Sequence, residues 1–299
     1  MRIIEDELGA HVSAAGGVQN APGRVAALGS TVLQIFTKQP SRWAEPVITP
    51  ETAAVFKSEC EAHRIRFAAA HDSYLINLAS SDALLYTRSS DSFRRELARC
   101  ATLGLHALVT HPGNATGGHV TSALDRNADA VAAALTGITS TTMVLFELTA
   151  GCGTALGANF EEIAYVIRRL GSSLARRVGV CLDTCHLWAA GYDLVNRYDA
   201  VFAEFDGIIG LDRIRLFHLN DSLSALGSRR DRHAHIGAGA LGHGPFRRLL
   251  DDDRFAAIPK VIETPKDDDV VTADRRNLAT LRAYRVGARP DRKNRANKS

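Results

Sequence analysis

The chain has 299 residues, of which 45% are hydrophobic and 23% charged, with a formal net charge of +3. These values describe an ordinary globular protein long enough to bury a substantial core. No apolar run approaches membrane-spanning length, and the opening M-R-I-I-E-D-E-L (1–8) lacks the apolar run of a signal peptide. The five cysteines form no disulfide-rich pattern. The expectation is a cytoplasmic protein, nucleoid-associated if bacterial, with no membrane partner. From Arg285 to Ser299 the chain carries six Lys/Arg and one Asp, so this segment contributes +5 and the remainder is near −2. It reads as a disordered basic arm (285–299) behind a single domain (1–284).

Short, continuous apolar runs recur along the domain. They are L-G-A-H-V-S (8–13), V-L-Q-I-F (32–36), F-A-A-A-H (67–71), H-A-L-V-T-H (106–111), M-V-L-F-E (143–147), V-G-V-C-L-D (178–183), I-R-L-F-H-L (214–219) and K-V-I-E (260–263). Unbroken apolarity suits strands covered on both faces, as in a parallel sheet. The segments between them read as helices. Residues 89–104 place Phe93, Leu97 and Ala101 on one face and end on Gly104, a natural cap. Residues 159–170 align Phe160, Ile163, Val166 and Ile167. Eight such repeats predict an α/β fold, a (β/α)₈ TIM barrel, with a doubly wound open sheet as the alternative.

Polar residues mark the strand ends. His71, His111, Glu147, Asp183, His218 and Glu263 each stand at or just before the end of a predicted strand, at intervals of roughly 35 to 45 residues. In a barrel such positions converge on the C-terminal face of the strands, where active sites form. Histidines and carboxylates there suit Zn²⁺, Mn²⁺ or Fe²⁺, and six are too many for one tetrahedral ion. His186, Asp231 and His233 add loop candidates, enough for three metals with sharing. Closely spaced metals point to phosphoester hydrolysis, with metal-dependent sugar isomerisation or epimerisation as the alternative. G-A-G-A-L-G (237–242) matches a dinucleotide fingerprint but does not follow a strand, so its glycines are expected to let the backbone pass close to a metal or a phosphate.

Several motifs together resemble the endonuclease IV family of apurinic/apyrimidinic (AP) endonucleases over residues 8–284. They are G-A-H-V-S-A-A-G-G (9–17), H-D-S-Y-L-I-N-L (71–78), H-P-G (111–113), D-T-C-H with A-A-G-Y-D (183–193), H-L-N-D (218–221), D-R-H-x-H-I-G-x-G-x-L-G (231–242) and E-T-P (263–265). The resemblance implies a (β/α)₈ barrel with three Zn²⁺, Mn²⁺ being an alternative at one or more sites. It would cut double-stranded DNA 5′ to an abasic site, leaving a 3′-hydroxyl and a 5′-deoxyribose phosphate, and would trim blocked 3′ ends. His71 and His111 would bind a first metal, with Glu147 bridging to a second completed by Asp183, His218 and Glu263. His186, Asp231 and His233 would bind the third. Glu263 would orient the attacking water or take its proton, so Glu263 and Glu147 are the expected catalytic carboxylates. Neither Cys181 nor Cys185 would be a ligand.

The DNA-contacting side chains implied by the same family are Lys38, Arg42 and Trp43 of F-T-K-Q-P-S-R-W (36–43), with Lys38 on phosphate, and Tyr74 as a wedge. Two departures stand out. Ser41 follows the proline where an arginine is usual, and E-L-T-A-G-C-G (147–153) carries Leu148 and Cys152 in place of polar residues that would support the metal ligands. A monomer is expected.

Overall fold

The computed structural model describes residues 7–266 and 269–286. Its strands are β1 (Leu8–His11), β2 (Val32–Phe36), β3 (Phe67–His71), β4 (Ala107–Thr110), β5 (Met143–Glu147), β6 (Val178–Asp183), β7 (Ile214–His218), β8 (Asp221–Ser222), β9 (His233–Ala234) and β10 (Lys260–Ile262). Eight of them close a parallel barrel in the order β1-β10-β7-β6-β5-β4-β3-β2, and β8 and β9 pair antiparallel beside it. The fold is the expected (β/α)₈ barrel, not the open sheet.

The helices are α1 (Ala21–Ala27), α2 (Pro50–Ala62), α3 (Ala83–Leu103), α4 (Val120–Gly137), α5 (Phe160–Arg169), α6 (Gly171–Ala175), α7 (Thr184–Ala190), α8 (Tyr198–Ile208), α9 (Gly244–Asp251) and α10 (Val270–Val286). No helix of the described residues is long and apolar enough to cross a membrane. The helix expected over 159–170 is α5, and its four aligned apolar residues are all buried. Helix α3 starts earlier than the expected 89, because Asp82 caps it by accepting from the Leu85 amide at 2.8 Å. It ends where expected, on Gly104 in the left-handed region at φ 74°. Of the basic arm expected over 285–299, Arg285 and Val286 belong to α10, and the rest, from 287 onward, lies outside the described residues.

The strand pattern decides what enters the barrel. Alternate residues of a strand face opposite sides. Leu33, Ile35, Ala68, Ala70, Leu108, Val144, Phe146, Val180, Leu182 and Ile262 pack outward in the core beneath the helices. Val32, Ala69, Ala107, Val109, Leu145, Cys181, Leu216 and Val261 form a second, separate cluster inside the barrel. Two residues further along the same inward phase come Gln34, His71, His111, Glu147, Asp183, His218 and Glu263, with His11 two residues beyond Gly9. A register shift between Val180 and Cys181 brings Asp183 level with His218 on the neighbouring strand.

Four strands match their expected spans; the others stop one or two residues short at the C-terminal end. His111 and Glu263 therefore lie just past their strands rather than within them. Gly9 shows how tight the interior is: a Cβ there would stand 1.8 Å from the Val32 carbonyl oxygen. Gly9→Ala is expected to lower stability by about 1–3 kcal/mol or more, read as a fall in Tm. An unchanged Tm would refute the close approach of β1 to β2.

Candidate metal centre

Glu147, at the end of β5, is fully buried at the middle of the cluster. Its Oε2 lies 3.0 Å from His71 Nε2 and 3.2 Å from His111 Nε2, while its Oε1 lies 3.0 Å from His218 Nδ1. One carboxylate thus faces two separate sets of donors. On the far side His218 Nδ1 is 3.4 Å from Glu263 Oε2 and 4.0 Å from Asp183 Oδ2. Further out, Asp231 lies 3.2 Å from both His186 Nε2 and His233 Nε2, and His233 Nε2 is 3.7 Å from Asp183 Oδ2. Five groups among the described residues have ligand atoms close enough to hold a metal ion: His71–His111–Glu147, Glu147–Asp183–His218–Glu263, Glu147–Cys181–His218, Asp183–His186–His233 and Cys185–Asp231–His233. All nine residues singled out in the sequence meet here. Asp183 reaches both the inner and the outer group.

The local chain explains these placements. Asp183 caps α7, its Oδ1 accepting from the Cys185 and His186 amides at 2.6 and 3.0 Å, so the residue that ends β6 also orients the helix carrying His186. Asn220 donates to Asp183 Oδ2 at 2.6 Å and accepts from the Glu263 amide at 2.8 Å, tying the ends of β6 and β10 together. The ribbon of β8 and β9 brings Asp231 and His233 back over the mouth. A cavity of about 310 Å³ opens above, lined by His11, Phe36, Tyr74 and Lys266 as well as by the ligand candidates.

Four of these histidines are fixed from behind. His71, His186 and His233 direct Nδ1 at the carbonyls of Asp72, Leu148 and Glu263 at 3.0, 2.9 and 3.0 Å, which leaves Nε2 facing the carboxylates. His218 is tied the other way round, Nε2 to Gln34 Oε1 at 2.9 Å with Nδ1 facing inward. Such ties select the tautomer with a free lone pair toward a metal. His233 Nε2 is buried and, though 3.2 Å from Asp231 Oδ1, makes no aligned hydrogen bond, which a cation between the two would remedy. The residues therefore fit divalent metal.

Without a metal, protons take the cations' place. Burial alone would lower His71, but the hydrogen bond and charge of Glu147, with Asp72 and Glu263, push it up to about 10. Against the same burial penalty, Asp183 and Asp231 push His233 up to about 9. Burial would raise Glu147 and Asp231, yet the facing histidines hold both well below the usual carboxylate range.

The comparisons agree with this geometry. Residues 22–284 match the family described as xylose isomerase-like TIM barrel. A protein of Chloroflexus aggregans named probable endonuclease 4 is 48% identical over 92% of this chain and 96% of its own. One of the same name from Geobacter sulfurreducens is 45% identical over 93% and 94%. The crystal structure of endonuclease IV from Thermus thermophilus superposes with a TM-score of 0.83 at 36% identity, covering 94% of this chain and 99% of that one. The chain belongs to the endonuclease IV family.

Several expectations change within this endonuclease IV fold. Lys38 was expected on DNA phosphate, but its side chain is 1% exposed, with Nζ 2.6 Å from Glu45 and 2.8 Å from Ser92. Arg99 of α3 joins the same buried group through Glu45 at 2.7 Å and Thr37 at 2.9 Å. Lys38 therefore anchors its loop instead of facing solvent. Trp43 is half-buried, with the Arg88 guanidinium 4.4 Å from its ring centre. Arg42 is exposed, and Tyr74, 70% exposed, leans edge-on against Phe36 at the cavity rim.

The glycine loop 237–242 directs three of its amides at a side chain of the same chain. Its Gly237, Gly239 and Leu241 amides donate to the Asp221 carboxylate at 3.0, 3.0 and 2.9 Å. Leu148 and Cys152 matter less than their sequence departures suggest. His186 is held by the Leu148 backbone carbonyl, whatever the side chain, and Cys152 is exposed, its thiol donating to the Arg229 carbonyl. Cys181 and Cys185 stand within reach of the cluster, and in the metal-free chain burial pushes Cys185 up to about 12 and Cys181 far above its usual value. His11, Gln34 and Asn220 are the members that sequence reasoning passed over. The signal for Gln34 and His11 was their inward phase on β2 and β1.

A histidine whose folded pKa lies above the unfolded value of ~6.5 adds stability below that pH and loses it as the pH rises through the folded pKa. With His71 near 10 and His233 near 9, chelator-treated protein should lose Tm as the pH climbs from about 7 to about 10. Metal-loaded protein should not, and metal uptake at neutral pH should release protons, measured by calorimetry in buffers of different ionisation heat. Uptake without proton release would contradict these charges.

Proposed function

We propose that this chain is a metal-dependent AP endonuclease that hydrolyses the DNA phosphodiester 5′ to an abasic site, leaving a 3′-hydroxyl and a 5′-deoxyribose phosphate, and that it trims blocked 3′ ends by the same chemistry. The observation that carries the reading is Glu147, whose two oxygens face two different donor sets from the floor of one cavity. In this reading His71, His111 and Glu147 hold one Zn²⁺; Glu147, Asp183, His218 and Glu263 hold a second; and His186, Asp231 and His233 hold a third. Mn²⁺ suits one or more of the same donor sets. Bound divalent cations supply Lewis acidity, easing deprotonation of water and offsetting charge on phosphate oxygens.

The chain's own residues do the rest. Glu263 stands half-buried on the cavity wall, with one oxygen held by Gln34 at 2.6 Å. Its carboxylate orients the attacking water toward phosphorus and takes its proton. Asp231 and His233, on the ribbon at the mouth, belong to the group facing the departing 3′ oxygen. Exposed Arg229, Arg230 and Arg232 flank Asp231, and exposed Arg42 lies on the loop after β2, giving cationic side chains for the DNA backbone. Tyr74 at the rim is suited to fill the gap left by a missing base, whose extrusion costs little because nothing unstacks.

A duplex with one abasic analogue should be cut 5′ to the lesion, and a strong chelator should abolish cutting until Zn²⁺ is restored. Absence of metal-dependent incision would sink the reading. Glu263→Gln should keep most bound metal while turnover drops on the order of 10²–10⁴-fold; full turnover removes Glu263 from proton transfer. His233→Ala should release one metal equivalent preferentially, and an unchanged metal content would refute its role as a ligand.

A further inference from the structure

Gln34 is the one polar residue of β2 and is completely buried on the inward phase of the barrel. A buried amide needs its hydrogen bonds, and all the partners of this one belong to the site. Nε2 lies 2.6 Å from Glu263 Oε1 and 3.0 Å from His11 Nδ1, and Oε1 lies 2.9 Å from His218 Nε2. Only one orientation of the amide works. Reversed, its oxygen would meet the Glu263 carboxylate oxygen, acceptor against acceptor.

We propose that Gln34 is a positioning residue, whose amide decides which nitrogen of His218 and which oxygen of Glu263 face the centre of the site. Because Oε1 accepts, His218 carries a proton on Nε2 and turns Nδ1 toward Glu147, Asp183 and Glu263. Because Nε2 donates, Glu263 Oε1 is occupied and Oε2 is the oxygen beside His218. The second amide hydrogen faces His11 Nδ1, which also lies 3.2 Å from Glu263 Oε1, so amide, imidazole and carboxylate form one cluster on the cavity wall. One glutamine on β2 thereby sets side chains from β1, β7 and the end of β10, and its effect on metal rests on the proposed ligand roles.

Two measurements on the full chain test this. In metal-free protein, long-range proton–nitrogen correlation spectra should show a slowly exchanging ring N–H on His218 Nε2, and Gln34→Met should lose that protection while filling the same volume. With Zn²⁺ alone as the probe and a chromophoric chelator as competitor, Gln34→Met should weaken one bound ion on the order of 10–100-fold and leave the others unchanged. Leu33→Met, an outward-facing core change on the same strand, should alter neither. A freely exchanging His218 N–H in the unsubstituted chain, or wild-type zinc affinity at every site in Gln34→Met, would overturn the proposal. A chain that binds no zinc yet keeps the protected N–H would overturn the ligand reading and still support the role of Gln34.

Discussion

Every second side chain of a strand must enter a closed barrel, and eight strands share a single interior. Here that space is divided along the strand direction. Lower down it holds a buried cluster of small and medium apolar residues such as Ala69, Ala107 and Val261. One inward step higher the same phase carries the histidines and carboxylates, with Gln34 and His11 between them. Their burial is tolerable because opposite charges alternate around the ring. Each carboxylate faces at least one imidazole within about 3 to 4 Å, so the desolvation that would expel a lone charge is offset by its neighbours.

That ring would be a poor stabilising device by itself, since apolar side chains could fill the same space at less cost. Its arrangement makes sense as a binding site prepared in advance. In His71, His186, His218 and His233 one ring nitrogen is tied to a carbonyl or to Gln34, and the other faces the carboxylates. Asp183 serves the ring with one oxygen and caps α7 with the other, so the geometry of the inner group and the placement of His186 rise or fall together. The inner residues sit in barrel strands or, for His111 and Glu263, one residue past them, which suits chemistry that tolerates little displacement.

The outer residues follow different rules. The loop after β2 is fastened by a buried ionic group that links Lys38, Glu45, Ser92, Arg99 and Glu96. A lysine in a polar loop reads as exposed, and only the meeting of that loop with α3 shows otherwise. The glycine loop 237–242 is a similar case. Its open backbone accommodates an anion, but the anion is the Asp221 carboxylate of the same chain, some sixteen residues earlier. In both places a side chain of the same chain, Glu45 for Lys38 and Asp221 for the glycine loop, takes up what a ligand was expected to meet.

The sequence by itself determined the barrel, the strand spans to within two residues, and the nine converging ligand candidates. Continuous apolar runs can be read locally, and a polar residue ending such a run announces its own position. What Gln34 and His11 do was decided only by tertiary structure. The inward phase of Gln34 can be read from V-L-Q-I-F, but its partners cannot, because only closure of the barrel brings β1, β7 and β10 to it. The same holds for which nitrogen each histidine turns inward, for Asp183 reaching two groups, and for Lys38 being hidden. Hydrogen-bond direction and burial depend on atoms brought from elsewhere in the chain, and no spacing along one strand carries that information.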